Sequence, residues 1–129
     1  MRKCWLGNSV VNQPTLIYLD NLKIGVVRNP YERVVTLYKG GWDYNGLEQW
    51  LKNEKILPQS ELYKDCDAVV CLESWERDFD ELGIIPDKNT FDKLESKYSS
   101  DYRRWYTQSL KDEVDQLAKQ DLDTYGYRF

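Results

Sequence analysis

Residues 23–40 read KIGVVRNPYERVVTLYKG. The run Lys23–Val27 is apolar and of strand length, as expected for a strand buried on both faces. Asn29 then suits a helix N-cap, Pro30 the first helical position and Glu32 the third, the pattern of a capping box. Tyr31, Val34, Val35 and Tyr38 recur at helical spacing on one face, and Gly40-Gly41 offers a stop. Arg28 stands between strand and helix. Ligands of open α/β sheets gather at the carboxyl ends of strands, and a helix N-terminus favours anions. An arginine there adds a planar fork suited to phosphate or sulfate. Arg33 and Thr36 fall off the apolar stripe, and the Thr36 hydroxyl can serve the same anion. The plainer alternative is that Arg28 pairs with a nearby carboxylate and Thr36 fills a helix position.

Working outward, TLIYLD (15–20) and LKIGVVRN (22–29) both read as strands, with Asp20-Asn21 as the turn between them. GLEQWLKNEKI (46–56) reads as a short helix carrying Leu47, Trp50 and Leu51. LPQSELY (57–63) reads as a loop or turn whose Gln59 and Ser60 could face an acceptor. DAVVCLE (67–73) is another short apolar strand. SWERDFDELG (74–83) is a helix capped by Ser74, with Trp75, Phe79 and Leu82 inward and Gly83 at its end. IPDKNT (85–90) reads as a loop. SSDYRRWYT (99–107) opens an aromatic-rich helical segment, and SLKDEVDQLAKQDLDTYG (109–126) predicts one long helix. Ser109 and Asp112 resemble a capping box there, with Leu110, Val114, Leu117 and Leu122 as the stripe. The order of elements predicts one α/β domain over 1–129, with a small parallel sheet flanked by helices.

Composition narrows the function. The 129 residues are 41% hydrophobic and 31% charged, as in a globular domain. Net charge is −4, the pI is near 4.9 and there is no dense Lys/Arg run, which argues against nucleic-acid binding. No apolar run reaches the roughly 20 residues that span a bilayer, and no signal-peptide pattern opens the chain. The expectation is a soluble, cytoplasmic protein. Cys4, Cys66 and Cys71 are an odd count without zinc spacing, so reduced thiols and no bound metal are expected, with Cys71 a small core residue. Histidine is absent, so any proton transfer must use Asp, Glu, Lys, Tyr or Cys.

VVRNPYERVVTLY resembles the 3′-phosphate-binding motif of sulfotransferases that use 3′-phosphoadenosine 5′-phosphosulfate. In that family the arginine after the strand and a Ser/Thr eight residues later hold the 3′-phosphate; here they are Arg28 and Thr36, with threonine where serine is commoner. VVCLESWERDF, YRRWYTQSLKDEV and LAKQDLDTYGYRF resemble later segments of carbohydrate-type members, in the family's order. The resemblance covers about residues 23–129. It implies a truncated P-loop-like domain in which Arg28, Thr36, Asn29 and Arg33 bind the nucleotide donor, and a hydroxyl acceptor whose identity the sequence leaves open.

The family's catalytic half is a Lys-(Thr/Ser)-Gly-x-(Thr/Ser) loop that cradles the 5′-phosphosulfate, followed by a base. No such loop stands in this sequence. Lys3 and residues 7–9 (GNS) have the wrong spacing, and Lys23 sits inside a strand. The chain thus resembles the C-terminal two-thirds of such an enzyme, and its catalytic residues are unassigned. Alone it is expected to be weak or inactive, with a partner chain supplying the loop; a homo-oligomer is the other assembly expected. The alternative is a non-catalytic interaction module that kept the fold. Glu73 could orient an arginine or the acceptor, or simply pair within the fold. Tyr102, Arg103, Arg104, Trp105 and Tyr106 could stack on adenine or sugar, or pack as core.

Overall fold

The computed structural model describes residues 12–19, 21–39 and 46–129. Cys4, Lys3, residues 7–9 and the glycine stop at 40–41 lie outside them. Strands β1 (Leu16–Leu19), β2 (Leu22–Val27) and β3 (Ala68–Cys71) form a three-stranded sheet in the order β1-β2-β3. β2 and β3 are parallel, pairing Val27 with Cys71. β1 is antiparallel to β2, so the expected parallel sheet is mixed. The reason is local: Leu19 pairs with Leu22, and a two-residue connection can join only antiparallel strands. Asn21 has φ 68, the left-handed conformation such turns demand and asparagine tolerates.

Between the parallel strands the chain crosses over through α1 (Pro30–Lys39), α2 (Leu47–Asn53) and the single turn α3 (Gln59–Leu62), which lies in the stretch read as a loop or turn. α4 (Trp75–Leu82) follows β3 after a 3₁₀ turn, and α5 (Lys88–Ser96), α6 (Gln108–Leu117) and α7 (Lys119–Tyr125) complete the chain. α5 begins within the stretch read as a loop, because the Asp87 side chain accepts from the Asn89 N–H and caps it. The predicted long helix is two: the α6 cap is Thr107, whose Oγ1 accepts from the Leu110 N–H, and the helix breaks at Ala118. Ser109 instead donates to Glu48. Gly83 and Gly126 end α4 and α7 in the left-handed conformation, as read.

The core falls into two clusters. Ile24 and Val26 pack with Val70, Trp75, Phe79 and Phe91 in one cluster. Tyr31, Val34 and Val35 of α1 pack with Trp50, Leu51, Leu110 and Val114 in another. Gly25 is required by a close approach: a Cβ there would overlap the Tyr63 ring and sit 3.1 Å from the Cys66 Sγ. Leu82 is largely exposed rather than inward, and Ser74 makes no side-chain cap bond to α4. Cys71 is half-buried, and burial pushes its thiol up. No described helix is long and apolar enough to cross a membrane.

Candidate functional site

Arg28 follows β2 at the carboxyl ends of the two parallel strands. Its main chain is fixed by a side chain: the Arg28 N–H donates to Gln59 Oε1 (2.9 Å), and Gln59 Nε2 donates to the Arg28 carbonyl (2.7 Å). Gln59 is 2% exposed, and its amide pairs with both backbone polar groups of Arg28, on the edge of β2 that faces β1. Gln59 and Ser60 are themselves held by Asp121, whose carboxylate accepts from both of their backbone N–H groups.

The Arg28 guanidinium grips Glu32 as a fork, Nε to Oε1 at 2.6 Å and Nη2 to Oε2 at 2.8 Å. Glu32 is completely buried. Its Oε2 also accepts from Thr36 Oγ1 (2.5 Å) and from the Ser99 N–H (2.9 Å). A buried carboxylate needs such a set of donors to offset its desolvation. The plainer alternative for Arg28, a carboxylate partner, is therefore present, one helical turn away. Thr36 does more than fill a helix position, because it joins the same carboxylate. The side chain of Arg28 remains 19% exposed, and its guanidinium lies 5.7 Å from the centre of the Tyr98 ring. Thr36 is half-buried, 2.8 Å from Ser99 Oγ, and Lys39 Nζ reaches that same oxygen at 3.4 Å.

Asn29 caps α1: its Oδ1 accepts from the Tyr31 N–H at 2.9 Å. The reciprocal half of the capping box is missing, because Glu32 is committed to Arg28. The Asn29 N–H goes instead to Glu73 Oε2 (2.8 Å), and its Nδ2 donates to the Arg128 carbonyl (3.0 Å). Arg33 donates to the Leu57 carbonyl (2.9 Å) and lies with Asp121 in a crevice with room for about one water. Burial lowers its pKa, with Asp121 opposing. The structure thus brings Arg28, Thr36 and Asn29 to one crest and directs Arg33 elsewhere.

Glu73 lies on that crest, accepting from Tyr98 OH (2.8 Å) and Tyr127 OH (2.6 Å) as well as from Asn29. Burial and the adjacent Glu73 push both phenols well above the ordinary tyrosine value, so they remain donors. Tyr102 is buried core, Tyr106 is half-buried, and Trp105 is 39% exposed with Lys39 Nζ 5.9 Å from its ring. Arg103 donates to the Phe129 carbonyl from Nε and Nη2.

The sequence reading did not single out Tyr98 or Ser99. Segment 97–99 forms one wall of the site through the Tyr98 ring and hydroxyl, the Ser99 N–H and the Lys97 carbonyl, which lies 3.5 Å from Thr36 Oγ1. Its contacts are partly backbone and span more than sixty residues to α1, so no local pattern announces them. Among the described residues, no three His, Cys, Asp or Glu side chains gather as a metal site. Chemically, the crest offers a partly exposed guanidinium, a hydroxyl and a lysine on one side, and a fixed carboxylate on the other. Comparison with known protein families, with curated proteins and with solved structures found no match, so the reading of this crest rests on its own residues.

Proposed function

We propose that the chain is a sulfotransferase-like protein that binds the 3′-phosphate end of 3′-phosphoadenosine 5′-phosphosulfate at the carboxyl end of β2. The observation that carries this reading is convergence. Arg28 and Thr36, eight residues apart, donate to one oxygen, Glu32 Oε2. A phosphate oxygen at the solvent-facing rim meets the remaining N–H groups of the guanidinium, with Lys39 beside them, and receives the single Thr36 hydroxyl hydrogen only if that turns away from Glu32. Glu32 fixes the orientation of the Arg28 guanidinium before a ligand arrives, which reduces the ordering cost of binding.

Transfer would proceed by attack of an acceptor hydroxyl oxygen on sulfur. The bond from sulfur to the bridging phosphate oxygen breaks, 3′,5′-adenosine bisphosphate leaves, and the hydroxyl proton passes to a base. Arg28 and Thr36 hold the remote end of the donor in this scheme. The cradle for the phosphosulfate and the base come from a partner chain that carries them.

A second reading is a non-catalytic module that kept the fold. What favours it is Glu32 itself, which already satisfies the donors that a phosphate would use. Calorimetry separates the two, with 3′,5′-adenosine bisphosphate compared against AMP. The binding reading expects tighter binding of the bisphosphate. It also expects a loss of roughly tenfold or more on Arg28→Ala, from a charge-assisted contact of about 1.5–3 kcal/mol. Equal binding by wild type and Arg28→Ala leaves the module reading.

A further inference from the structure

Glu73 is unused by the reading above. It is an exposed residue, yet its carboxylate is held by three donors: the Asn29 N–H and Tyr98 OH on Oε2, and Tyr127 OH on Oε1. An exposed carboxylate ordinarily moves freely in water. This one is fixed on the same crest as Arg28, and Tyr98 links the two, with its hydroxyl on Glu73 and its ring beside the guanidinium. A carboxylate offers about four acceptor positions; three are taken, and the position left on Oε1 can accept one more donor.

The charge of Glu73 sets what that donor can be. A second anionic group beside it is repelled, whereas a hydroxyl hydrogen is attracted. A ribonucleotide that places its 3′-phosphate on Arg28 carries one hydroxyl on the adjacent ring carbon, the 2′-hydroxyl. We infer that Glu73 is a specificity-determining residue that accepts a hydrogen bond from the ribose 2′-hydroxyl of the bound 3′-phosphonucleotide, so that the site selects ribose over 2′-deoxyribose. This inference rests on the reading of the crest as a 3′-phosphate site.

The alternative for Glu73 is a purely structural tie between α1, Tyr98 and the segment after Gly126. A structural tie changes the affinity for both sugars together, whereas a 2′-hydroxyl acceptor changes their ratio. The experiment is calorimetry on the full chain with 3′,5′-adenosine bisphosphate and its 2′-deoxy analogue, for wild type, Glu73→Gln and Glu73→Ala. Wild type should prefer the ribose form by about tenfold or more, the scale of a hydrogen bond to a charged group. Glu73→Ala should bring the ratio near one, and Glu73→Gln should lower it at least about threefold, which decides the matter if the alanine variant does not fold. A wild-type ratio near one, or a ratio unchanged by these substitutions, overturns the role of Glu73 and leaves the phosphate site standing. No binding of either nucleotide to the folded wild type overturns the phosphate site, and this inference with it.

Discussion

The strongest test of the site's construction is Glu32→Gln. The substitution keeps the shape of the side chain and removes its charge. In the native chain this fully buried carboxylate accepts from two guanidinium nitrogens, a hydroxyl and a backbone N–H. Breaking a buried ion pair by removing one partner costs about 3–5 kcal/mol. Two features reduce that here. The Arg28 side chain is 19% exposed and can recover some hydration, and glutamine keeps one oxygen for the Ser99 N–H. The amide nitrogen, however, places a donor against donors. The net expectation is a loss of about 2–4 kcal/mol. For a domain of this length, with roughly 3–5 °C per kcal/mol, the melting temperature should fall on the order of 10 °C. Urea unfolding followed by tryptophan fluorescence measures the loss directly, and an unchanged m-value identifies it as a change in stability. A loss below about 1 kcal/mol would show that the carboxylate does not organise this crest, since so small a change is ordinary for a surface substitution.

Gly25→Ala should destabilise the fold by about 1–3 kcal/mol, because the new methyl meets a Tyr63 ring already tethered through its hydroxyl to the Thr15 N–H; chemical denaturation that finds the variant as stable as wild type would remove this contact from the account. The phenols of Tyr31, Tyr98, Tyr106 and Tyr127 are raised in the folded state, chiefly by burial. The unfolded chain therefore releases protons first, and the stability these groups contribute is intact below about pH 10 and declines above it. Native-state tyrosinate absorbance should lag that of the unfolded chain, and ionisation of these phenols near pH 10 in the native protein would contradict their placement. The purified chain alone should transfer little labelled sulfate to hydroxyl acceptors, since each missing preorganised contact commonly costs on the order of 10² to 10³ in rate. Robust turnover that survives Arg28→Ala would overturn both the site and the need for a separate phosphosulfate loop.

Where an element is determined by its neighbours in sequence, the reading was close. The strand, the Asn29-Pro30 start and the α1 stripe follow from patterns within a few residues, and so do the glycines that end α4 and α7. Errors appear where a distant group wins. Glu32 looks like the third position of a capping box, but Arg28 four residues back and Ser99 sixty-seven residues on claim its carboxylate. Gln59 looks like loop decoration until its amide is found pairing with the Arg28 backbone. The stripe through 109–126 is continuous in composition, so nothing local marks the break at Ala118. The mixed sheet was legible in part: Asp20-Asn21 signalled a tight turn, and a tight turn already requires antiparallel strands.

The bond from Asn29 Nδ2 to the Arg128 carbonyl joins residues 99 apart, and the Glu73–Tyr127 bond spans 54. The local half of the α1 cap, Asn29 to Tyr31, can form as soon as that turn exists. The remainder must wait for loops to close over most of the chain, an entropic requirement that helix formation does not share. Assembly of the crest is therefore expected late in folding. A nascent chain that has emerged only as far as α6 carries Arg28, Glu32 and Thr36 but has no Tyr127 or Arg128 to place beside Glu73 and Asn29. If the proposed nucleotide binds there, it stabilises the chains in which the crest has already assembled, by mass action.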